Sequence, residues 1–142
     1  MSTQSVDVKY TAVATAENGR DGRVATDDGK LDVVVNPPKE MGGSGAGTNP
    51  EQLFAAGYSA CFQGALGVVA RKEGADVSGS TVTAKVGIGS TPEGGFGLTV
   101  AIEAKIPNVD AATATSLVEK AHQVCPYSNA TRGNIEVTVS AA

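Results

Sequence analysis
Alternation of apolar and polar positions organises both ends of the chain. Val6, Val8, Tyr10, Ala12 and Ala14 alternate with polar neighbours, so Val6 to Ala16 reads as a half-buried strand. Asn18-Gly19 signals a tight turn, and Arg20-Asp21-Gly22-Arg23 a second, which puts Arg20 at a strand junction. Val24 to Thr26 and Leu31 to Val35 predict short strands separated by Asp28-Gly29, and Asn36-Pro37-Pro38 ends that segment. Later, Val82, Ala84, Val86 and Ile88 alternate, Pro92-Glu93-Gly94-Gly95 turns the chain, and the alternation resumes from Phe96 to Ile106. That is a β-hairpin with one wet face. Ile135, Val137 and Val139 predict a final strand.

Two stretches change to the helical period. Thr48 to Arg71 opens with a capping signal: Thr48 or Asn49 as cap, Pro50 in the first turn, Glu51 completing a capping box. From Leu53 to Ala70 it carries no charge, and Arg71-Lys72-Glu73-Gly74 supplies a cationic end and a glycine stop. Gly57, Gly64 and Gly67 inside it cost roughly 1 kcal/mol each against alanine, which points to close packing of backbone on backbone. A second helix starts at the Asp110 cap, with Ala114, Leu117, Val118, Ala121 and Val124 as its buried stripe. Pro126 limits it and leaves Cys125 at the helix exit, before a polar loop over Asn129 to Asn134. Strands, helix, hairpin, helix, strand is an α+β order, and residues 1–142 read as a single domain.

Composition narrows the function. The net charge is −4 and nothing basic is clustered, so nucleic acid is not an expected partner. The uncharged helix has the length of a membrane span. Its Gly and Ala content, with Ser59 and Gln63, favours a core helix wrapped by sheet or by a partner helix. The first ten residues lack the apolar core of a signal peptide. Met41 to Gly47 is glycine-rich, but Thr48 stands where a phosphate loop needs its lysine, so a flexible hinge or lid is expected there.

The chain has two cysteines. Without a secretory signal they point to a reducing compartment, where thiols are more often catalytic or metal-binding than structural. Cys61 lies about three turns into the uncharged helix, on a face with Phe54, Gly57 or Tyr58, Ala65 and Val68. A buried cysteine is ordinarily inert. Here one thiol is fixed in a helix and the other sits at an exit free to move, an arrangement suited to an attacking and a resolving thiol. An unperturbed thiol is only about 3 % ionised at pH 7, and burial lowers that further. No Lys, Arg or His lies between residues 51 and 70, so a cation must come from elsewhere; Arg20, Arg23 and Arg132 are the candidates. Glu51 could hold such an arginine by a bidentate pair, or serve only as a helix-terminus acid. Zinc on Cys61, His122 and Cys125 with a carboxylate is the competing reading; no CxxC pair supports it.

The segments Gly19-Arg20-Asp21-Gly22-Arg23, Thr48 to Phe62 (TNPEQLFAAGYSACF), Val86-Gly87-Ile88-Gly89 with Gly95-Phe96-Gly97-Leu98, and His122 to Asn134 (HQVCPYSNATRGN) resemble the organic hydroperoxide resistance family of the OsmC superfamily. The resemblance runs through nearly the whole chain in order. It implies a thiol peroxidase that reduces organic hydroperoxides to alcohols. Cys61 would attack the peroxide and Cys125 resolve it. Arg20 would stabilise the thiolate, and Glu51 would orient Arg20. It also implies no bound cofactor, a dihydrolipoyl group on a lipoylated protein as electron donor, an intertwined homodimer and a cytoplasmic location. A zinc-binding module and a peroxide-sensing binding protein are the other classes the residues leave open.

Overall fold
The computed structural model describes residues 3–142; Met1 and Ser2 lie outside the described residues. The chain forms two compact units, Met1–Pro50 and Glu51–Ala142.

The first unit is a three-stranded antiparallel meander of β1 (Ala14–Glu17), β2 (Gly22–Thr26) and β3 (Asp32–Val35). Ala16 pairs with Val24 and Val24 with Val33. Asn18 and Gly19 both take left-handed φ values, 61° and 60°, which is why an Asn-Gly pair stands at this turn. The expected strand from Val6 is cut short: no strand is assigned between residues 3 and 13. Val6, Val8 and Tyr10 are 69 %, 66 % and 80 % exposed. Their alternation marks a half-buried strand, but among the described residues no ladder partner is assigned to it. The glycine-rich loop is also tied down rather than hinge-like. Gly43 and Gly45 donate backbone N–H groups to the carbonyls of Pro38 and Pro37, both at 3.0 Å. A Cβ on Gly43 would fall 2.1 Å from the Pro37 carbonyl oxygen, so only glycine fits. Thr48 then bridges to Val35 in parallel.

The second unit holds α1 (Pro50–Glu73), β4 (Thr81–Ser90), β5 (Phe96–Lys105), α2 (Ala111–Val124), α3 (Pro126–Thr131) and β6 (Val137–Ala141). Its sheet order is β4-β5-β6. The register stacks apolar rows across one face: Val86–Val100–Val137, Ala84–Ile102–Val139 and Val82–Ala104–Ala141. Central β5 buries its share completely, while edge β4 is half-buried. The hairpin is as expected. The final strand, β6, runs parallel to β5. Parallel neighbours require a crossover, and α2 with α3 provides it.

The main hydrophobic cluster lies in this second unit, and Val35 is buried in the first. Tyr58, Phe62, Ala65, Leu66 and Val69 of α1 pack with Val100, Ile102 and Ala104 and with Ala114, Leu117, Val118 and Ala121 of α2. The buried stripe of α1 is therefore centred near Phe62, and Cys61 lies at its border, half-exposed. Phe62 and Leu66 are 0 % exposed, and burial of such side chains contributes roughly 1.5–3 kcal/mol each. This packing is that of a soluble fold. Yet only 33 % of the apolar window of α1 is buried in the chain. Ala56, Ala60 and Gly64 share an open face, and a Cβ on Gly64 would meet nothing within 4 Å. Of the three helix glycines only Gly57 is tightly packed. A Cβ on Gly67 would meet only the Arg71 side chain, at 3.8 Å.

Candidate redox site
Two helix ends build the site. Asp110 caps α2 by accepting the Thr113 N–H at 2.7 Å, as the sequence signals. The helix ends at Cys125, whose N–H bonds the Ala121 carbonyl. Pro126 then opens α3, where its missing N–H costs nothing, and the Cys125 carbonyl accepts from Asn129. The polar loop expected over Asn129 to Asn134 is thus half helix. Cys125 is not at a loose exit; it is 0 % exposed and bonded on both sides of its backbone. It takes the core position foreseen for Val124, which is 43 % exposed one residue earlier.

Cys61 and Cys125, 64 positions apart, meet with their sulfurs 3.6 Å apart, both as free thiols. The pair is asymmetric, with Cys61 half-exposed and Cys125 buried. Burial pushes the Cys61 thiol up, the Cys125 sulfur pushes it the same way, and the Tyr127 backbone N–H opposes them. That N–H is at the start of α3, where helical amides have no partner of their own. The leading influences on Cys61 include no cation. Tyr127 is positioned by Gly57: a Cβ there would come within 2.8 Å of the Tyr127 hydroxyl. Phe54, Tyr58 and Tyr127 form a tilted aromatic cluster with centroids 5.5–6.1 Å apart.

The other residues singled out in the sequence are carried by different elements. Arg23 is engaged by Asp32 through two bonds of 2.7 Å, with Glu17 at 3.5 Å. Arg132 bonds Asn129 at 2.8 Å and the His122 carbonyl. Arg20 is in the β1–β2 turn of the first unit, which Asn18 closes by bonding the Asp21 carbonyl at 2.8 Å and Asn36 braces through the Asp21 carboxylate at 2.7 Å. Glu51 is half-buried in the first turn of α1, where an acid also suits the helix N-terminus. Ten residues of helix, about 15 Å, separate it from Cys61, so it does not oppose thiolate formation by contact.

His122 is more than a helix-terminal residue. Its Nδ1 lies 2.7 Å from the Ser128 hydroxyl, whose oxygen is 2.8 Å from the Tyr58 hydroxyl. No sequence signal marks this network, because isolated Ser and Thr in a polar stretch carry no period. Among the described residues no three His, Cys, Asp or Glu side chains converge as a metal site would require. Burial, then the Arg132 charge, holds the His122 pKa below its usual 6.5. The unfolded chain therefore binds this proton first. Stability is full above about pH 6.5 and falls as pH drops from there through the lower folded value. Urea midpoints measured from pH 7.5 to 5 should show that decline, and His122→Gln should flatten it.

A family model described as OsmC-like protein matches residues 42–140. An organic hydroperoxide resistance protein of Xanthomonas axonopodis pv. citri is 53 % identical over 137 residues, covering 95 % of this chain and 96 % of the relative. The crystal structure of an organic hydroperoxide resistance protein from Elizabethkingia anophelis superposes with a TM-score of 0.91 at 53 % identity, over 96 % of this chain and 99 % of that one. The organic hydroperoxide resistance protein OhrB of Bacillus subtilis gives 0.86 at 41 % identity, over 94 % and 98 %. Fold, motif order and these likenesses agree: the chain belongs to the organic hydroperoxide resistance family of OsmC-like proteins.

Proposed function
We propose that the protein defends against organic peroxides as a thiol peroxidase, with Cys61 attacking and Cys125 resolving. The observation that carries this is the sulfur pair at 3.6 Å with unequal exposure. A peroxide reaches the half-exposed sulfur, and the buried one waits behind it. The Cys61 thiolate attacks the distal peroxide oxygen, the O–O bond breaks, and the alkoxide takes a proton to leave as the alcohol. Cys61 becomes a sulfenic acid. Cys125 then displaces its oxygen as water and closes a disulfide. A dihydrolipoyl group, carried on a lipoylated protein, reduces that disulfide by exchange. Hydroperoxide consumption with dihydrolipoamide compared with thioredoxin tests the reading. Turnover with dihydrolipoamide supports it, and turnover with thioredoxin alone removes the lipoyl donor.

Arg20 is the cation we assign to the thiolate, with Glu51 orienting it. The resemblance of Gly19 to Arg23 and of Thr48 to Phe62 to the family's motifs supports these two roles. Without a cation Cys61 stays protonated, since burial raises its pKa. Arg20→Ala should therefore shift the thiolate absorbance titration of Cys61 to higher pH, and Glu51→Ala should slow peroxide reduction. An unmoved titration in Arg20→Ala excludes Arg20 from this role.

A homodimer, intertwined through its N-terminal arm, is the assembly we propose, in the cytoplasm. The uncovered small-residue face of α1 and the exposed Val6, Val8 and Tyr10 both call for a cover that one chain does not provide. Light scattering at micromolar concentration should give twice the chain mass; a monomer contradicts the assignment.

A further inference from the structure
The two cysteine-bearing regions are joined by a buried polar chain, one helical turn from each sulfur. Tyr58 precedes Cys61 by three residues on α1, His122 precedes Cys125 by three on α2, and Ser128 follows Cys125 by three on α3. Tyr58 Oη meets Ser128 Oγ at 2.8 Å and Thr131 Oγ1 at 3.1 Å, which ties α1 to α3. His122 Nδ1 meets the same Ser128 oxygen at 2.7 Å, which ties α2 to α3. Tyr58 and Ser128 are 0 % exposed and Thr131 is 6 % exposed. None of their buried polar atoms lacks a partner.

The hydrogens have one arrangement that uses every contact. Thr131 Oγ1 donates to the Ser128 carbonyl at 3.3 Å. Tyr58 then donates to Thr131, Ser128 donates to Tyr58, and His122 donates from Nδ1 to Ser128. Breaking one link leaves a buried hydroxyl unpaired, so the chain acts as a unit.

We propose that Tyr58, Ser128 and His122 are positioning residues for the resolving step: their hydrogen-bond chain clamps α1 to the α2–α3 junction. The proposal rests on the thiol-peroxidase reading above. In that step the Cys61 sulfenic sulfur loses its hydroxyl, an S–S bond forms to Cys125, and the thiol proton leaves with the hydroxyl as water. The sulfenic sulfur is reduced and the thiol sulfur oxidised, so no other reagent is needed. The sulfurs must close from 3.6 Å to about 2.05 Å. A clamp one turn away keeps that approach short. A displacement of the order of 1 Å costs up to about a hundredfold in such a reaction. Delay leaves the sulfenic acid exposed to a second peroxide and to irreversible sulfinic acid formation.

The test treats full-length wild type, Tyr58→Phe and Ser128→Ala with one and then ten equivalents of cumene hydroperoxide. Mass spectrometry reads the ratio of Cys61–Cys125 disulfide to Cys61 sulfinic acid. This partition compares resolution with overoxidation, whatever the speed of the first attack. The clamp predicts a ratio on the order of tenfold lower in both variants. Thr131→Ser, which keeps its hydroxyl, should hold the wild-type ratio where Thr131→Val does not, and this pair decides if Ser128→Ala is insoluble. Wild-type ratios in folded Tyr58→Phe and Thr131→Val overturn the clamp. A wild type that forms neither alcohol nor disulfide overturns the peroxidase reading itself, which is a different result.

Discussion
Cys61→Ser is expected to abolish peroxide turnover, with loss limited only by the background of the assay. A serine hydroxyl is far too weakly acidic to offer an anion at neutral pH, and oxygen cannot pass through a sulfenic acid. The substitution is nearly isosteric and sits at the border of the core, half-exposed, so the fold should survive it. Cys125 does not replace the lost nucleophile, because it is fully buried. Alcohol release measured against the amount of protein distinguishes the outcomes: less than a few per cent of one equivalent is expected. A full equivalent from Cys61→Ser assigns the attack elsewhere.

Cys125→Ser is expected to separate the two halves of the cycle. The first contact with peroxide still releases one equivalent of alcohol, since Cys61 and its exposure are unchanged. The sulfenic acid then has no thiol at 3.6 Å to capture it. It should accumulate and pass to the sulfinic state under excess peroxide, and cycling driven by a dithiol should stop unless an external thiol intervenes. The removed sulfur also raises the Cys61 pKa in the reduced protein. The variant should therefore ionise Cys61 slightly more readily, a titration shift opposite in sign to that of Arg20→Ala. Equal peroxide cycling by Cys125→Ser and wild type contradicts the resolving role.

Much of the second unit was legible because its signals are local. The alternation from Val82 to Ile106 shows which side chains face the core, and the Asp110 cap marks where α2 begins. The meeting of Cys61 and Cys125 was expected from chemistry and resemblance; the geometry adds which thiol is exposed. What stayed hidden depends on partners far along the chain. Alternation at Val6 to Tyr10 marks a strand but not its neighbour, and none is assigned among the described residues. The strand pattern of Ile135 to Val139 is the same for either direction of pairing; the α2–α3 crossover decides for parallel. Pro126 predicts the end of a helix, although proline equally suits the first position of the next one. The Tyr58–Ser128–His122 chain spans 70 positions and has no sequence period at all.

One covalent link tests the peroxidase cycle most directly. Wild-type protein should be treated with one equivalent of organic hydroperoxide, alkylated, digested without reductant and examined by mass spectrometry. The expected result is a Cys61–Cys125 disulfide within one chain, formed in step with the alcohol. Overoxidised Cys61 with Cys125 still alkylatable, or a disulfide between two chains, would contradict it.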